Sequence, residues 1–263
     1  MTRAVSLVLI ALTLAGCNSP VGIMLGFGHV PTKPAATVDF LCDFDAGGTC
    51  TADNLQEALD RVLPCLTDRP GSLLRLWAMG NQLGDTTLLA SATVPSLTGR
   101  KNVDRTAWAR FVKTTRSLFL GAYAATTDAR HRHQSPIAES LTRVAWADSA
   151  SERYILVLTD AREYSDIGGD LECGALPTAS AFTRQLQRNH VLAPQSLRGT
   201  TVAFCFVTIG SIDGRRCDST LERADKVREL WITALGAAGA TRVLYSTAVP
   251  HLQGLEGRHA TTD

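Results

Sequence analysis

A short segment of oxygen-bearing and flexible residues precedes what looks like the first helix of the chain. Asp45-Ala46-Gly47-Gly48-Thr49 follows an apolar run, residues 38–44, and leads into the helix-like residues 51–63. A strand that delivers a carboxylate, two glycines and a hydroxyl to the start of a helix can form a small oxygen-lined site. The segment therefore predicts a ligand site, although it does not identify the ligand.

Apolar runs and amphipathic segments alternate along the rest of the chain. Strands are predicted at residues 38–44, 72–78, 86–94, 153–159, 200–209 and 241–245, and helices at residues 51–63, 104–124, 135–146, 177–188 and 218–234. The third strand should be antiparallel, because its connection is too short for a crossover helix. The order predicts an α/β fold with a doubly wound, mainly parallel, Rossmann-like sheet and helices on both faces.

Two further polar residues are predicted to lie at the same edge of this sheet. Ser135 is the expected N-cap of the helix whose first turn holds Pro136, and Asp160 ends the most apolar strand. Thr51 or Asp53 can cap the first helix. Ligands of such sheets bind beyond the carboxyl ends of the strands, near the point where strand order reverses. Residues 45–49, Ser135 and Asp160 are therefore predicted to meet at one edge of the sheet.

The order of these motifs resembles that of a von Willebrand factor type A (VWA) domain over residues 37–246. The family's Asp-x-Ser-x-Ser, Thr-Pro-hydrophobic and Leu-Thr-Asp-Gly segments are matched by Asp45-Ala46-Gly47-Gly48-Thr49, Ser135-Pro136-Ile137 and Leu158-Thr159-Asp160-Ala161. The resemblance implies a metal-ion-dependent adhesion site. In such a site Mg²⁺ or a similar divalent cation would be held by Asp45, Thr49, Ser135 and Asp160. An acidic side chain of a protein partner would then complete the coordination shell.

The chain departs from that family pattern in ways that weaken the implied site. Gly47 stands where the family has a serine, so one ligand oxygen is missing, and Ala161 replaces a glycine. A second register, Asp43-Phe44-Asp45-Ala46-Gly47, would supply two carboxylates but loses the glycine and helix offsets. The first register is preferred, with a partly degenerate cation site.

The first residues resemble the leader of a bacterial lipoprotein. Arg3 precedes an apolar run, residues 4–14, that is shorter than the ~20 residues needed to span a bilayer, so residues 1–16 predict a signal peptide. Leu14-Ala15-Gly16-Cys17 resembles a lipobox, which implies cleavage before Cys17 and lipid on that cysteine. Plain secretion is the alternative.

A lipid on Cys17 would anchor the protein in the cell envelope. Residues 17–36 would then be a lipidated tether and residues 37–263 a single domain. Asn18, in place of an aspartate, favours the outer membrane, facing the periplasm or the cell surface.

The six remaining cysteines allow disulfides in an oxidising envelope. Cys50 and Cys65 cannot pair across one helix, because they would lie ~22 Å apart where a disulfide needs Cα atoms within ~7 Å. Cys173 and Cys217 follow strands at the same sheet edge and are the expected pair. Cys205 and Cys42, within apolar strands, are expected to be buried thiols.

Composition and missing motifs exclude several classes of function. A net charge of +1 gives no electrostatic basis for binding nucleic acid, and 45% hydrophobic with 19% charged residues is globular composition. The chain has no nucleophile elbow, phosphate loop or His-Glu-x-x-His motif, so we do not expect an enzyme. The sequence favours protein binding through the VWA-like domain. A metal-free scaffold is the alternative, and a hydrolase using Ser135 is a more remote one.

Overall fold

The computed structural model describes residues 34–44, 49–80, 84–126, 134–147, 150, 152–171, 173–207 and 220–252. The predicted signal peptide, Cys17 and the predicted tether as far as residue 33 lie outside the described residues, as does Asp45. No helix in the described part of the chain combines the length and the apolar character needed to cross a bilayer.

Strands and helices alternate along the described residues. The strands are β1 Ala36–Cys42, β2 Leu73–Ala78, β3 Thr87–Thr93, β4 Glu152–Leu158, β5 Tyr164–Ser165, β6 Gly169–Asp170, β7 Thr200–Cys205 and β8 Arg242–Tyr245. The helices are α1 Ala52–Cys65, α2 Lys101–Thr126, α3 Ile137–Trp146, α4 Ala179–Arg188 and α5 Leu221–Ala237.

Six strands form one sheet in the order β3-β2-β1-β4-β7-β8. Every neighbouring pair is parallel except β2 and β3, which are antiparallel. Strand order reverses between β1 and β4, because the chain moves outward from β1 to β2 and later returns to the other side of β1. The predicted α/β class, the doubly wound sheet and the antiparallel third strand are confirmed.

The sheet is covered on both faces, as expected from strands with few polar residues. One core joins alternate residues of β1 and β4 to α1 and α2, with Phe40, Leu59 and Phe119 fully buried. The other core joins the opposite face to α3, α4 and α5, with Phe182 and Trp231 fully buried.

A charged network lies inside the second face of the sheet and was not predicted from the sequence. Asp39, with no exposed surface, accepts hydrogen bonds from Arg75 Nε at 2.6 Å, Arg75 Nη2 at 2.9 Å and Trp77 Nε1 at 2.7 Å. Arg75 Nη1 also donates to the carbonyl of Ala147, at the end of α3. The network therefore ties β1 and β2 to the carboxyl end of α3.

Side chains at the helix starts explain several boundaries. Thr51 caps α1 by accepting from the amide of Asn54 at 3.0 Å, which decides between the two predicted caps. Thr178 and Thr220 cap α4 and α5, which therefore begin at Ala179 and Leu221, later than predicted. The prediction of Ser135 as the cap of α3 is wrong: Pro136 occupies that position and offers no side-chain hydrogen bond.

Candidate functional site at the carboxyl edge of the sheet

The carboxyl ends of β1 and β4 meet where strand order reverses. Asp43 directly follows β1; its amide donates to the carbonyl of Leu158 at 3.2 Å. Thr159 directly follows β4, and its Oγ1 donates to Asp43 Oδ2 at 3.0 Å. Asp43 is only 3% exposed and Thr159 is fully buried. A buried carboxylate thus lies at the switch point of the sheet.

Asp43 belongs only to the second register, Asp43-Phe44-Asp45-Ala46-Gly47, and not to the preferred one. Strand β1 ends at Cys42, two residues before the predicted end at Phe44, so Asp43 is the first residue beyond the sheet. The signal that could have found it is its position directly after the apolar strand. Asp45, the preferred ligand, lies outside the described residues.

Asp160 extends the same edge on the β4 side. Its side chain is 14% exposed; Oδ1 accepts from the amide of Arg162 at 2.9 Å, and Oδ2 lies 3.5 Å from Arg162 Nε. The next residue, Ala161, has φ of 66°, in the left-handed region that favours glycine. Its carbonyl accepts from Trp231 Nε1 at 2.9 Å, so a core tryptophan of α5 helps to hold the strained turn.

Ser135 is joined to Tyr164 by a backbone bridge. Its amide donates to the carbonyl of Tyr164 at 2.9 Å, and the amide of Tyr164 donates back at 3.1 Å. Ser135 is 6% exposed and lies two residues before α3. The segment before α3 is thereby fastened to the loop that follows Asp160.

The amino end of α3 is capped from a distance instead of by Ser135. Glu163 Oε2 accepts from the amide of Ala138 at 3.0 Å, so a carboxyl 25 residues away fills the capping role. Burial of Glu163, together with the neighbouring carboxyl of Glu139, raises its pKa well above the usual glutamate value. No sequence signal marked this carboxyl as a cap.

Thr49 lies two residues before Thr51, the cap of α1. It is 8% exposed, and its carbonyl accepts from Asn54 Nδ2 at 2.6 Å. A disulfide joins Cys42 to Cys50, and their Cα atoms are 5.4 Å apart. The expectation that Cys42 is a free thiol is therefore wrong.

The other cysteines fall into two groups. Cys173 is disulfide-bonded, and Cys217, its predicted partner, lies outside the described residues. Cys205 is a buried free thiol as predicted, and burial raises its pKa. Cys65, at the end of α1, is a thiol whose Sγ donates to the carbonyl of Arg61 at 3.3 Å.

The edge offers hard oxygen atoms from several segments. Hydroxyls come from Thr49 and Ser135, and carboxylates come from Asp43 and Asp160. These are the ligand types that Mg²⁺ prefers. Within the described ranges, no group of three or more His, Cys, Asp or Glu side chains is close enough to hold a metal ion. The hydroxyls, together with Asp45, would have to supply the remaining ligands.

Distant structural similarity is the only likeness that comparison with known proteins gives. The conserved hypothetical protein BatB from Bacteroides thetaiotaomicron is 10% identical, with a TM-score of 0.40, over 82% of this chain and 91% of that one. The PilB minor pilin from Streptococcus sanguinis is 11% identical, with a TM-score of 0.40, over 84% of this chain and 59% of that one. No protein-family model and no curated protein matches the sequence.

Proposed function

We propose that this chain is a lipid-anchored envelope protein whose VWA-like α/β domain binds another protein at the carboxyl edge of the sheet. The observation that carries the proposal is the buried carboxylate of Asp43 at the switch point. Asp43 contacts Thr159 there, and Ser135 is bridged to Tyr164, four residues beyond Asp160. Open α/β sheets bind their ligands at this position.

A Mg²⁺-type cation is the proposed mediator of that binding. It would be held by Asp45, Thr49, Ser135 and Asp160. Asp43 would either bind the cation directly or orient the other ligands through hydrogen bonds. A hard cation bound by few protein ligands keeps exchangeable positions, so it would attract a carboxylate of the partner. The protein contributes a rigid edge, because the disulfide Cys42–Cys50 closes the first loop.

One contact favours the metal-free scaffold as the second candidate. The Asp160 carboxylate already accepts from the amide of Arg162 and lies beside its guanidinium. A cation would have to compete with that positive charge. If the competition fails, the edge would bind its partner through hydrogen bonds and ion pairs alone.

Calorimetric titration of the detergent-solubilised, processed protein with Mg²⁺, Ca²⁺ and Mn²⁺ separates the two candidates. The cation-mediated function predicts heat of binding, and a rise in melting temperature that corresponds to about 2.7 kcal/mol at a cation concentration a hundred times Kd. Asp160→Ala and Asp43→Asn should abolish both effects. Asp166→Ala removes an exposed acid from the same loop and should leave them intact.

Other outcomes of the titration would favour a different site or a different function. Binding that survives Asp160→Ala and Asp43→Asn would place the cation elsewhere. Absence of binding and of thermal stabilisation would leave the metal-free scaffold. Turnover of an ester or peptide substrate that Ser135→Ala abolishes would instead make the protein a hydrolase.

The anchor is tested by processing in the host. With Cys17 lipidated, globomycin should block maturation and cause a longer precursor to accumulate. Cys17→Ser should release the mature domain from the membrane or leave it unprocessed. Processing that is unaffected by both treatments would contradict the lipid anchor and favour plain secretion.

A further inference from the structure

Two carboxyl groups lie together beneath the carboxyl edge. Glu139 is in the first turn of α3 and is 2% exposed, and Glu163 is in the loop after β4 and has no exposed surface. Glu163 Oε2 accepts from the amide of Ala138, the residue next to Glu139, at 3.0 Å, and the carboxyl of Glu139 helps to raise the pKa of Glu163. In the described part of the chain, no Lys, Arg or His side chain forms an ion pair with either of them. Two neighbouring carboxyls that are buried without a cationic partner do not both ionise readily, because two negative charges would repel each other.

Glu163 is fixed in place by hydrogen bonds and by close packing. Besides the amide of Ala138 on Oε2, its Oε1 accepts from Ser165 Oγ at 2.5 Å, and Ser165 Oγ accepts from the amide of Gly168 at 2.8 Å. A Cβ added at Gly168 would lie 2.4 Å from Glu163 Cγ, so only glycine fits there. These contacts hold the carboxyl in its buried position.

Glu139 has an oxygen that needs a donor. Its Oε2 is buried and accepts no hydrogen bond from the residues that the structure describes. A buried acceptor without a donor is costly, whereas a protonated carboxyl beside it would supply an O–H. A single proton held by Glu163 and shared with Glu139 satisfies the oxygen and removes one of the two charges.

We propose that Glu139 and Glu163 share one proton and act as a pH-dependent latch between the start of α3 and the loop formed by residues 160–168. While the proton is held, Glu163 stays at the amino end of α3 and the Ser135–Tyr164 bridge stays closed. When it is lost to solvent, two negative charges remain in contact and push the loop from the helix. The latch does not depend on the proposed cation or on the lipid anchor.

The pH dependence of stability follows from the direction in which the pKa of Glu163 is shifted. Burial and Glu139 raise the pKa of Glu163 above its usual value of 4.5, so the folded chain holds this proton more tightly than the unfolded chain does. The stabilisation is complete below pH 4.5 and is lost as pH rises through the folded-state pKa. Within that window the folding equilibrium constant falls by at most a factor of about ten per pH unit for one proton.

Other polar and charged groups near Glu139 and Glu163 also affect how stability depends on pH. Ser165 and the amide of Ala138 face Glu163 and favour its ionised form. Asp160 and Arg162, on the same loop, pair with each other, and Asp166 is exposed. Asp166→Asn is therefore a matched control, since it removes a carboxylate of this loop that does not belong to the pair.

Thermal unfolding of the full mature chain between about pH 5 and 9 tests the latch. We expect the melting temperature of the native chain and of Asp166→Asn to fall as pH rises. Glu163→Gln keeps the shape and can donate to Glu139, so its melting temperature should lose most of this slope. Glu139→Gln removes the second charge but leaves Glu163 buried, so it should lose only the part of the slope that Glu139 causes. A slope that both variants retain unchanged would overturn the proposal.

Infrared spectroscopy of the native chain provides a readout that requires no variant to fold. A protonated carboxylic acid should persist above pH 4.5 and should disappear, as pH rises, over the same range in which the melting temperature falls. Hydrogen exchange at the amides of Ala138 and Tyr164 should accelerate in that range relative to amides of β4. Loss of the protonated acid band at the pH where ordinary carboxyls ionise would contradict the latch.

Discussion

Arg75→Ala is expected to destabilise the protein by about 3–5 kcal/mol, because it leaves a buried carboxylate without its partner. Asp39 has no exposed surface, and after the substitution Trp77 Nε1 would be its one remaining donor among the described residues. Burial already raises the pKa of Asp39, and Arg75 is the main group that opposes this shift. The variant would also lose the hydrogen bond to the carbonyl of Ala147 at the end of α3. Chemical denaturation followed by circular dichroism measures the loss.

A surface arginine supplies the matched control. Arg69 pairs with Glu152 across the same side of the domain, but the two side chains are 21% and 50% exposed. Arg69→Ala should therefore cost less than about 1 kcal/mol. Replacing both buried partners, as in Asp39→Leu with Arg75→Met, should cost less than Arg75→Ala alone, since no charge is then left unpaired. If Arg75→Ala costs no more than Arg69→Ala, the pair does not stabilise the sheet.

The order of strands and helices was predictable because it depends on local patterns. Apolar runs of strand length alternate with segments of helical period, and that alternation alone leads to a doubly wound sheet. Thr51 was among the predicted caps because its hydrogen bond, to the amide of Asn54, spans three residues. Features set by neighbours in sequence could therefore be inferred with little error.

Contacts between distant residues explain what the sequence did not reveal. Asp39 and Arg75 face each other in the register of β1 and β2, although each lies within a strand that otherwise looks apolar. Glu163 caps α3 from 25 residues away, whereas the local pattern predicts the nearer Ser135 as the cap. The two-residue strands β5 and β6 are too short to carry a period of their own. Such features depend on packing that no local pattern encodes.

For the candidate site too, some features can be predicted from local sequence patterns and others depend on contacts between distant residues. Topology predicts its place at the switch point, because the carboxyl ends of β1 and β4 must adjoin there. The choice between Asp43 and Asp45 depended on where β1 ends, a boundary that sequence patterns locate only to within a few residues. The disulfide Cys42–Cys50 joins the end of β1 to the residue before the cap of α1, and no pattern of spacing predicted it.

Trp231→Ala is expected to cost about 3–5 kcal/mol, because it empties the centre of the second core. The indole has no exposed surface and lies 5.4 Å from the ring centroids of both Phe182 and Phe204. It also donates to the carbonyl of Ala161, whose backbone is in the left-handed region. The variant should therefore lose both packing and a restraint on the turn that follows Asp160. Differential scanning calorimetry measures the first effect, and hydrogen exchange over residues 160–163 measures the second.

Two further tryptophan variants separate packing from hydrogen bonding. Trp231→Phe keeps most of the ring contacts but leaves the carbonyl of Ala161 without this donor, so we expect about 1–3 kcal/mol of destabilisation and faster exchange in the turn. Trp146 is 57% exposed at the end of α3, and Trp146→Ala should change stability by no more than about 0.5 kcal/mol. A cost for Trp231→Ala as small as that for Trp146→Ala would contradict the role of this side chain. Faster exchange in Trp231→Ala but not in Trp231→Phe would show that packing, not the hydrogen bond, holds the turn at the carboxyl edge.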